Sequence, residues 1–185
     1  MKKIILFLSL LFSGALAISA QNAAVSTNVL DYANLGTLNM EGLLALSRHW
    51  SVVAGFRYNP FTYDGGSGGE WLQNKQQTYM LGARYWPWHI FSGWWMCGKV
   101  QYQEYNSGGI VSPETSEGDR IGAGLTGGYT HMLGKHINLE VGVGFWSGSD
   151  KYVNYACPRC GRTLEAGNRA FVLVNDLLLS LSYVF

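Results

Sequence analysis

The chain has 185 residues, 13 Lys and Arg against 12 Asp and Glu, and a formal net charge of +1, so it lacks the basic excess that a nucleic-acid partner would demand. Hydrophobic residues make up 48%, aromatics 14% and charged residues only 14%, with 24 Gly, yet no window holds the eighteen or so consecutive apolar residues of a membrane helix. Apolar residues that are abundant but spread by alternation suit strands that are half apolar by design, as in a membrane β-barrel.

Residues 1–20 read as a secretory signal, with Lys2 and Lys3 as the basic start, Ile4 to Phe12 as the apolar stretch and Ala15 to Ala20 as the small-residue end. Cleavage after Ala20 or Ala17 removes two cations and leaves 11 against 12 acids, so the mature domain, residues 21–185, is near neutral.

Eight period-two runs follow, and no helical period competes with them. The first, near Ala23 to Leu30, is the weakest. The second, Leu38 to Leu46, sets Leu38, Met40, Leu44 and Leu46 against Asn39, Glu41 and Ala45. In the third, Trp50 to Tyr58, the apolar face carries Trp50, Val52, Ala54, Phe56 and Tyr58, and Arg57 lies opposite. The fourth, Gln77 to Tyr85, opposes Tyr79, Leu81, Ala83 and Tyr85 to Thr78, Met80, Gly82 and Arg84. The fifth spans Gly93 to Tyr105, with Trp94, Met96, Val100 and Tyr102 against Cys97, Lys99, Gln101 and Gln103. The sixth, Arg120 to Tyr129, opposes Ile121, Ala123, Leu125 and Tyr129 to Arg120, three Gly and Thr126. The seventh is the cleanest, with Ile137, Leu139, Val141, Val143 and Phe145 against Asn138, Glu140, Gly142 and Gly144. The eighth ends the chain: Leu177, Leu179, Leu181, Tyr183 and Phe185 oppose Asp176, Ser180 and Ser182, with Leu178 and Val184 as apolar exceptions on the polar face. Nine to eleven residues is the length a tilted strand needs to cross hydrocarbon.

The connections alternate. Ser47 to His49, Trp86 to Ser92 and Met132 to His136 are short, whereas Asn59 to Gln76, Asn106 to Asp119 and Ser147 to Ala170 are long; Asp31 to Thr37 is short where a long one is due. This predicts an all-β, eight-stranded antiparallel transmembrane barrel with short periplasmic turns and longer extracellular loops. Trp50, Trp86, Trp88 and Trp94 are expected at the periplasmic rim, and Tyr58, Phe61, Tyr63, Tyr105 and Trp146 at the other, as two aromatic girdles.

The polar face is Gly-rich and carries few charges: Glu41, Arg57, Arg84, Lys99, Arg120, Glu140 and Asp176. A face bathed in water would be rich in Lys and Glu; small residues with four cations and three anions suit a tight lumen where charges pair. Glu41 and Arg57, about equally far from the Ser47 to His49 turn, are expected to pair. Eight strands leave an interior that side chains just fill, so an occluded barrel is expected rather than a pore.

Cys157-Pro158-Arg159-Cys160-Gly161 lies in the longest loop. A small structural disulfide between Cys157 and Cys160, a pair of free thiols, half a metal site and a redox pair are all readings of that spacing. No second Cys-x-x-Cys or nearby His completes a metal site, and no strand-to-helix context supports redox catalysis. Cys97 is expected to be an inert lumenal thiol. His49, His89, His131 and His136 all map to the periplasmic turns, away from any extracellular Ser-His-acid site. Asp64 to Glu70 is a Gly-rich tip without the helix or Lys of a phosphate loop, and Gly122, Gly124, Gly142 and Gly144 are expected to act sterically.

Several segments together carry a resemblance: Thr27 to Tyr32, Gly55-x-Arg57-Tyr58-Asn59-Pro60-Phe61, Ala83 to Trp86, Leu133-Gly134-Lys135-His136-x-Asn138-Leu139-Glu140, Cys157-x-x-Cys160-Gly161 and Leu181 to Phe185. The chain resembles a domain-of-unknown-function family of small outer-membrane barrels from Gram-negative anaerobes, broadly similar to OmpA- and OmpX-like barrels. It departs from that pattern between Phe171 and Leu178, which lacks the expected Gly-Pro. The resemblance implies no catalytic residue, cofactor or metal, and the terminal strand ending in Phe185 resembles the signal read by the barrel-insertion machinery. The expected function is non-enzymatic: a structural or surface-interaction role in the outer membrane, embedded in its lipid. An unidentified surface protein or glycan would be met by Tyr63, Trp71, Tyr152, Tyr155, Arg159 and Arg162. The rival readings are a small channel, a soluble lipid-carrying barrel and a lipid-modifying enzyme.

Overall fold

A computed structural model describes residues 22–64, 71–108, 114–156 and 161–185. Its elements are β1 (Ala23–Asn28), α1 (Val29–Ala33), β2 (Leu38–Ala45), β3 (Trp50–Asn59), β4 (Thr62–Asp64), β5 (Trp71–Tyr85), β6 (Gly93–Gly108), β7 (Thr115–Met132), β8 (Ile137–Tyr155) and β9 (Thr163–Val184). Every neighbouring pair is antiparallel. β1 pairs with both β2 and β9, and β3 pairs with β5, so eight strands close into a barrel while β4 adds only a short flap on β5. The three tight connections and the β1–β9 seam lie at one end, the turn end; the other is the hairpin end.

Alternation sets the faces as the sequence predicts. Outward on β3, Trp50, Phe56 and Tyr58 are exposed; so are Leu81 on β5, Val100 on β6, Leu125 on β7, Val141 and Val143 on β8, and Leu177 and Leu181 on β9. From Trp50 to Tyr58, eight steps at about 3.3 Å and a tilt of roughly 40° give an apolar band about 20 Å tall. Above it the outward residues turn polar, with Lys75, Gln77, Glu104, Asp119 and Lys151.

Three aromatics expected on the rims lie inside instead. Trp86 and Trp146 are fully buried and Tyr105 is 7% exposed. Strand parity explains each: Tyr85, Phe145 and Tyr102 face outward, so Trp86, Trp146 and Tyr105 face the lumen. Trp50, Trp88, Trp94, Tyr58, Phe61 and Tyr63 are exposed, as expected.

The expected long loops are largely strand. β6 runs on to Gly108, β7 begins at Thr115, β8 ends at Tyr155 and β9 begins at Thr163, because alternation continues with polar residues on both faces above the apolar band. Tyr152 and Tyr155 therefore sit in β8 rather than in a loop. The Asp31 to Thr37 connection holds the five-residue helix α1, whose first turn is capped by the Asn28 side chain accepting from Leu30 N at 3.3 Å. Where the expected Gly-Pro is missing, β9 carries a bulge. Gly144 pairs with Asp176 but Trp146 with Leu173, so Phe145 meets two residues and β9 changes face parity. Above the bulge Val172 and Val174 face out; below it Leu177 faces out and Asp176 in.

The lumenal glycines are steric, as expected. A Cβ on Gly124 would fall 2.7 Å from the Phe145 carbonyl oxygen and 2.8 Å from Trp146 Cβ, and one on Gly144 would fall 2.8 Å from the Leu125 carbonyl oxygen. The β7–β8 wall curves so tightly that backbone occupies the space a side chain would need. Gly124→Val is expected to abolish the compact form that migrates fast in unheated electrophoresis samples, whereas Gly134→Val, with nothing within 4 Å of its Cβ, leaves it intact.

Candidate functional site

The interior is filled in layers. At the turn end lies an apolar plug. The Trp86–Ser92 turn folds back into the mouth, with Phe91 in the left-handed region at φ 59, and buries Trp86 and Phe91 against Trp95, Leu43, Val53, Leu178 and Val184. The Trp86 and Phe91 rings meet edge to face at 5.9 Å, and the Trp86 indole donates to Ser51 Oγ at 3.0 Å. Asn138 Nδ2 donates to the Phe91 carbonyl at 2.9 Å. Leu178 and Val184, the two apolar exceptions on the polar face of the last strand, belong to this plug. Plug formation by inward Trp residues escaped the sequence reading, although parity alone places them.

Above the plug Arg84 is the first charged layer. Its guanidinium donates to Glu140 at 2.8 Å and to Glu41 at 3.4 Å and lies 4.0 Å from the centre of the Trp95 ring. Cys97 is buried beside it and free, as expected. Glu41 does not pair with Arg57. The β2–β3 register sets Glu41 opposite Gly55 and Arg57 opposite Asn39, and Glu41 crosses the space above Gly55 to reach Arg84.

The next layer centres on Asp176, which is fully buried. It accepts from Lys99 Nζ, from Thr126 Oγ1 at 2.7 Å and from Arg57 at 3.3 Å, and Arg57 also binds Asp31 of α1 at 2.9 Å. Residues far apart in sequence thus converge on one carboxylate that closes the gap between β3, β6, β7 and β9.

The third layer lies at the hairpin end. Fully buried Asp150 accepts from Tyr105 Oη at 2.9 Å and from Arg169 at 2.9 Å and lies 3.4 Å from Arg120, whose guanidinium stacks 3.7 Å over the Tyr105 ring. Trp146 and Phe171 meet edge to face at 4.5 Å beneath it. All seven sequence-predicted lumen charges are therefore brought inside. Asp31 and Asp150 join them from segments expected to be loop, and Arg169, half exposed at the rim, completes the balance of five cations and five anions. Extending the β8 alternation past Ser147 would have placed Asp150 with Gly144, Trp146 and Gly148.

The expected contact residues are mostly engaged within the rim. Tyr63 donates to the Leu35 carbonyl at 3.3 Å, Tyr152 to Glu165 at 2.7 Å and Tyr155 to Glu117 at 2.7 Å, and those carboxylates raise both β8 phenols above the usual tyrosine range. Arg169 stacks 4.5 Å over Tyr152. Arg162 is exposed, and its carbonyl accepts from Ala156 N at 3.0 Å. Cys157, Arg159 and Cys160 lie outside the described residues, as does the Gly65 to Glu70 tip; Trp71 enters only through the backbone pairing of β5 with Asp64. A cavity of 930 Å³ opens at the hairpin end, with Asn59, Gln76, Tyr105 and Tyr152 among its inward-facing lining. All four histidines lie at the turn end; His49 and His136 each donate Nδ1–H to a carbonyl, of Trp86 and Val184, at 2.8 Å. Among the described residues no group of three or more His, Cys, Asp or Glu is placed to hold a metal ion.

The closed antiparallel barrel with a filled, charge-balanced interior is the class that fold and site define. Residues 6–185 match the family described as "Protein of unknown function (DUF3575)", and the chain belongs to that family. No curated protein matches it.

Removing one partner of the Asp176 cluster leaves buried cations uncompensated. Asp176→Asn is expected to destabilise the barrel by about 3 to 5 kcal/mol, read from tryptophan fluorescence during guanidinium unfolding in micelles. Pairing it with Lys99→Met is expected to recover a substantial part, because one buried charge is then removed together with its partner. Additive losses would show that the two side chains act independently.

Proposed function

We propose that this protein is a non-enzymatic integral outer-membrane barrel, OmpA- and OmpX-like in architecture, with a structural or surface-interaction role exerted through its extracellular hairpin end. The observation that carries the reading is the inversion of polarity. The outward face is an apolar band about 20 Å tall, margined by Trp50, Trp94 and Tyr85 below and Tyr58, Tyr79 and Tyr102 above, while the ion pairs lie inside. A water-soluble carrier barrel would have the opposite arrangement. In this reading residues 1–20 are removed on export, the turn end faces the periplasm, and the β9 strand ending in Phe185 is handed to the barrel-insertion machinery. In this reading Cys157 and Cys160, three residues apart in an exported chain, form a small disulfide.

The contact surface is the polar cup of 930 Å³, where the inward-facing Asn59, Gln76, Tyr105 and Tyr152 offer amide and phenol groups suited to a protein or glycan. The reading assigns no catalysis: the buried carboxylates are engaged by cations, and the histidines lie at the opposite end from the cup.

Membrane fractionation with heat-modifiable electrophoresis is the test. The protein is expected in the detergent-extractable outer-membrane fraction, with a band that shifts on boiling; recovery in the soluble periplasmic fraction would overturn the assignment. Planar bilayers carrying the purified barrel are expected to stay silent, since the plug and the three ionic layers occupy the bore. Discrete conductance steps would favour the small channel.

A further inference from the structure

We infer that the mouth of the barrel at the turn end is a docking site for an acidic peptide segment. The charges of this chain are segregated along the barrel axis. No Asp or Glu occurs within residues 42–63, 71–103, 120–139 or 177–185, the stretches that build the turn end and the wall next to it. The same end carries Arg48, Lys135 and all four histidines. The nearest side-chain carboxylates, Glu41 and Glu140, lie above the apolar plug and are held by Arg84, so the backbone carboxylate of Phe185 is the anion that shares the turn end with Arg48 and Lys135.

Arg48 and Lys135 frame a cavity. A space of 420 Å³ opens in the mouth, rimmed by Arg48, His89 and Lys135, one from each tight connection, and floored by Ile90, Phe91 and Val184. Arg48, His89 and Lys135 are exposed, whereas Phe91 is 5% and Val184 4% exposed. His49 and His136 serve the frame, each tying a turn to a carbonyl, which leaves Arg48 and Lys135 as the ligand-facing cations with the His89 imidazole beside them.

The geometry selects the class of ligand. The mouth lies on the barrel axis, ringed by turns, whereas the headgroups of surrounding lipid lie outside the wall with their tails along the apolar band. The volume admits one or two side chains, not a folded domain. An apolar floor within a cationic rim matches an extended segment that inserts one aliphatic side chain and sets flanking carboxylates on Arg48 and Lys135. Cations at the rim of a low-dielectric wall also draw an anionic chain in from a distance. The site itself is a matter of geometry; only its compartment, the periplasm, rests on the function proposed above.

The test uses the full mature barrel in zwitterionic detergent micelles and a fluorescein-labelled hexapeptide of Asp and Glu around one central Leu, followed by fluorescence anisotropy. Saturable binding is expected. Arg48→Gln with Lys135→Gln is expected to weaken it about ten-fold, as two solvent-exposed ion pairs allow. Raising salt from about 0.05 to 0.2 M, which roughly halves the Debye length, is expected to weaken it as well. Lys151→Gln at the hairpin end should leave it unchanged. Each variant is first shown to keep the heat-dependent band shift, so loss of binding is separated from loss of fold. Equal binding of the Asn and Gln counterpart of the peptide, or undiminished binding by the Arg48 and Lys135 double variant, overturns the proposal. Displacement by a short-chain anionic phospholipid but not by its zwitterionic analogue assigns the mouth to lipid headgroups and overturns the peptide reading. Because binding is measured on solubilised barrel, its failure leaves the membrane assignment standing, and a soluble periplasmic location would leave the binding result standing.

Discussion

The seam between β1 and β9 is the constraint on which everything else rests. It runs over only five paired positions, from Ala24 opposite Val184 to Asn28 opposite Ser180, yet without it the sheet would keep two open edges. Closure fixes the register of all eight strands at once. A slip of one residue at the seam would turn Ser180 and Ser182 toward the apolar band and Leu181 and Tyr183 into the lumen. The side chain of Asn28 reinforces the end of the seam, donating to the Leu177 carbonyl and accepting from Leu179 N at 3.0 Å each. The helix that follows brings Asp31 to Arg57, so the seam and the central ionic cluster are built together.

Once closed, the barrel has too little interior for water to solvate the charges buried in it, and pairing is the remaining way to keep them ionised. The charges are ordered by depth. Arg84 sits on the apolar plug with a tryptophan face beneath it, Asp176 gathers two cations from the wall across the bore, and Asp150 gathers two more under the rim. Glu140 and Asp176 are held by strands that are not their neighbours, so those two layers act as cross-braces that resist flattening of the barrel, while Asp150 ties β8 to the adjoining β7 and β9. The glycines of β7 and β8 are the counterpart, marking where curvature leaves no room for any brace.

Much of this was legible in the sequence, because period two is a strong signal when one face must be apolar and the other small. The strands, their faces and the seven lumenal charges follow from it. What escaped did so for identifiable reasons. Trp86, Tyr105 and Trp146 look like interfacial aromatics by type, and their inward position is visible only if parity is allowed to outrank residue preference. Asp150 and Arg169 lie where both faces of the hairpin are polar, so alternation of hydrophobicity fades although the strands go on. Glu41 and Arg57 were matched by distance from the turn, but one register step in two separates a cross-strand pair from a diagonal one, and the Glu140 that completes the Arg84 layer comes from the opposite wall. The basic turn end was visible as a list of histidines; the cavity they help to rim needed coordinates.

The bulge of β9 opposite Phe145 divides the strand into two segments with independent phase. Below it, even-numbered residues belong to the interior; above it, even-numbered residues belong to the outside. The projecting hairpin is therefore not bound by the phase of the strand that seals the barrel. An insertion or deletion above the bulge can be absorbed there without rotating Asp176 out of its cluster, so the projecting half of this hairpin is free to diversify while the sealing half stays fixed. That separation of phases sets which part of the last strand can vary and which part is held by the barrel.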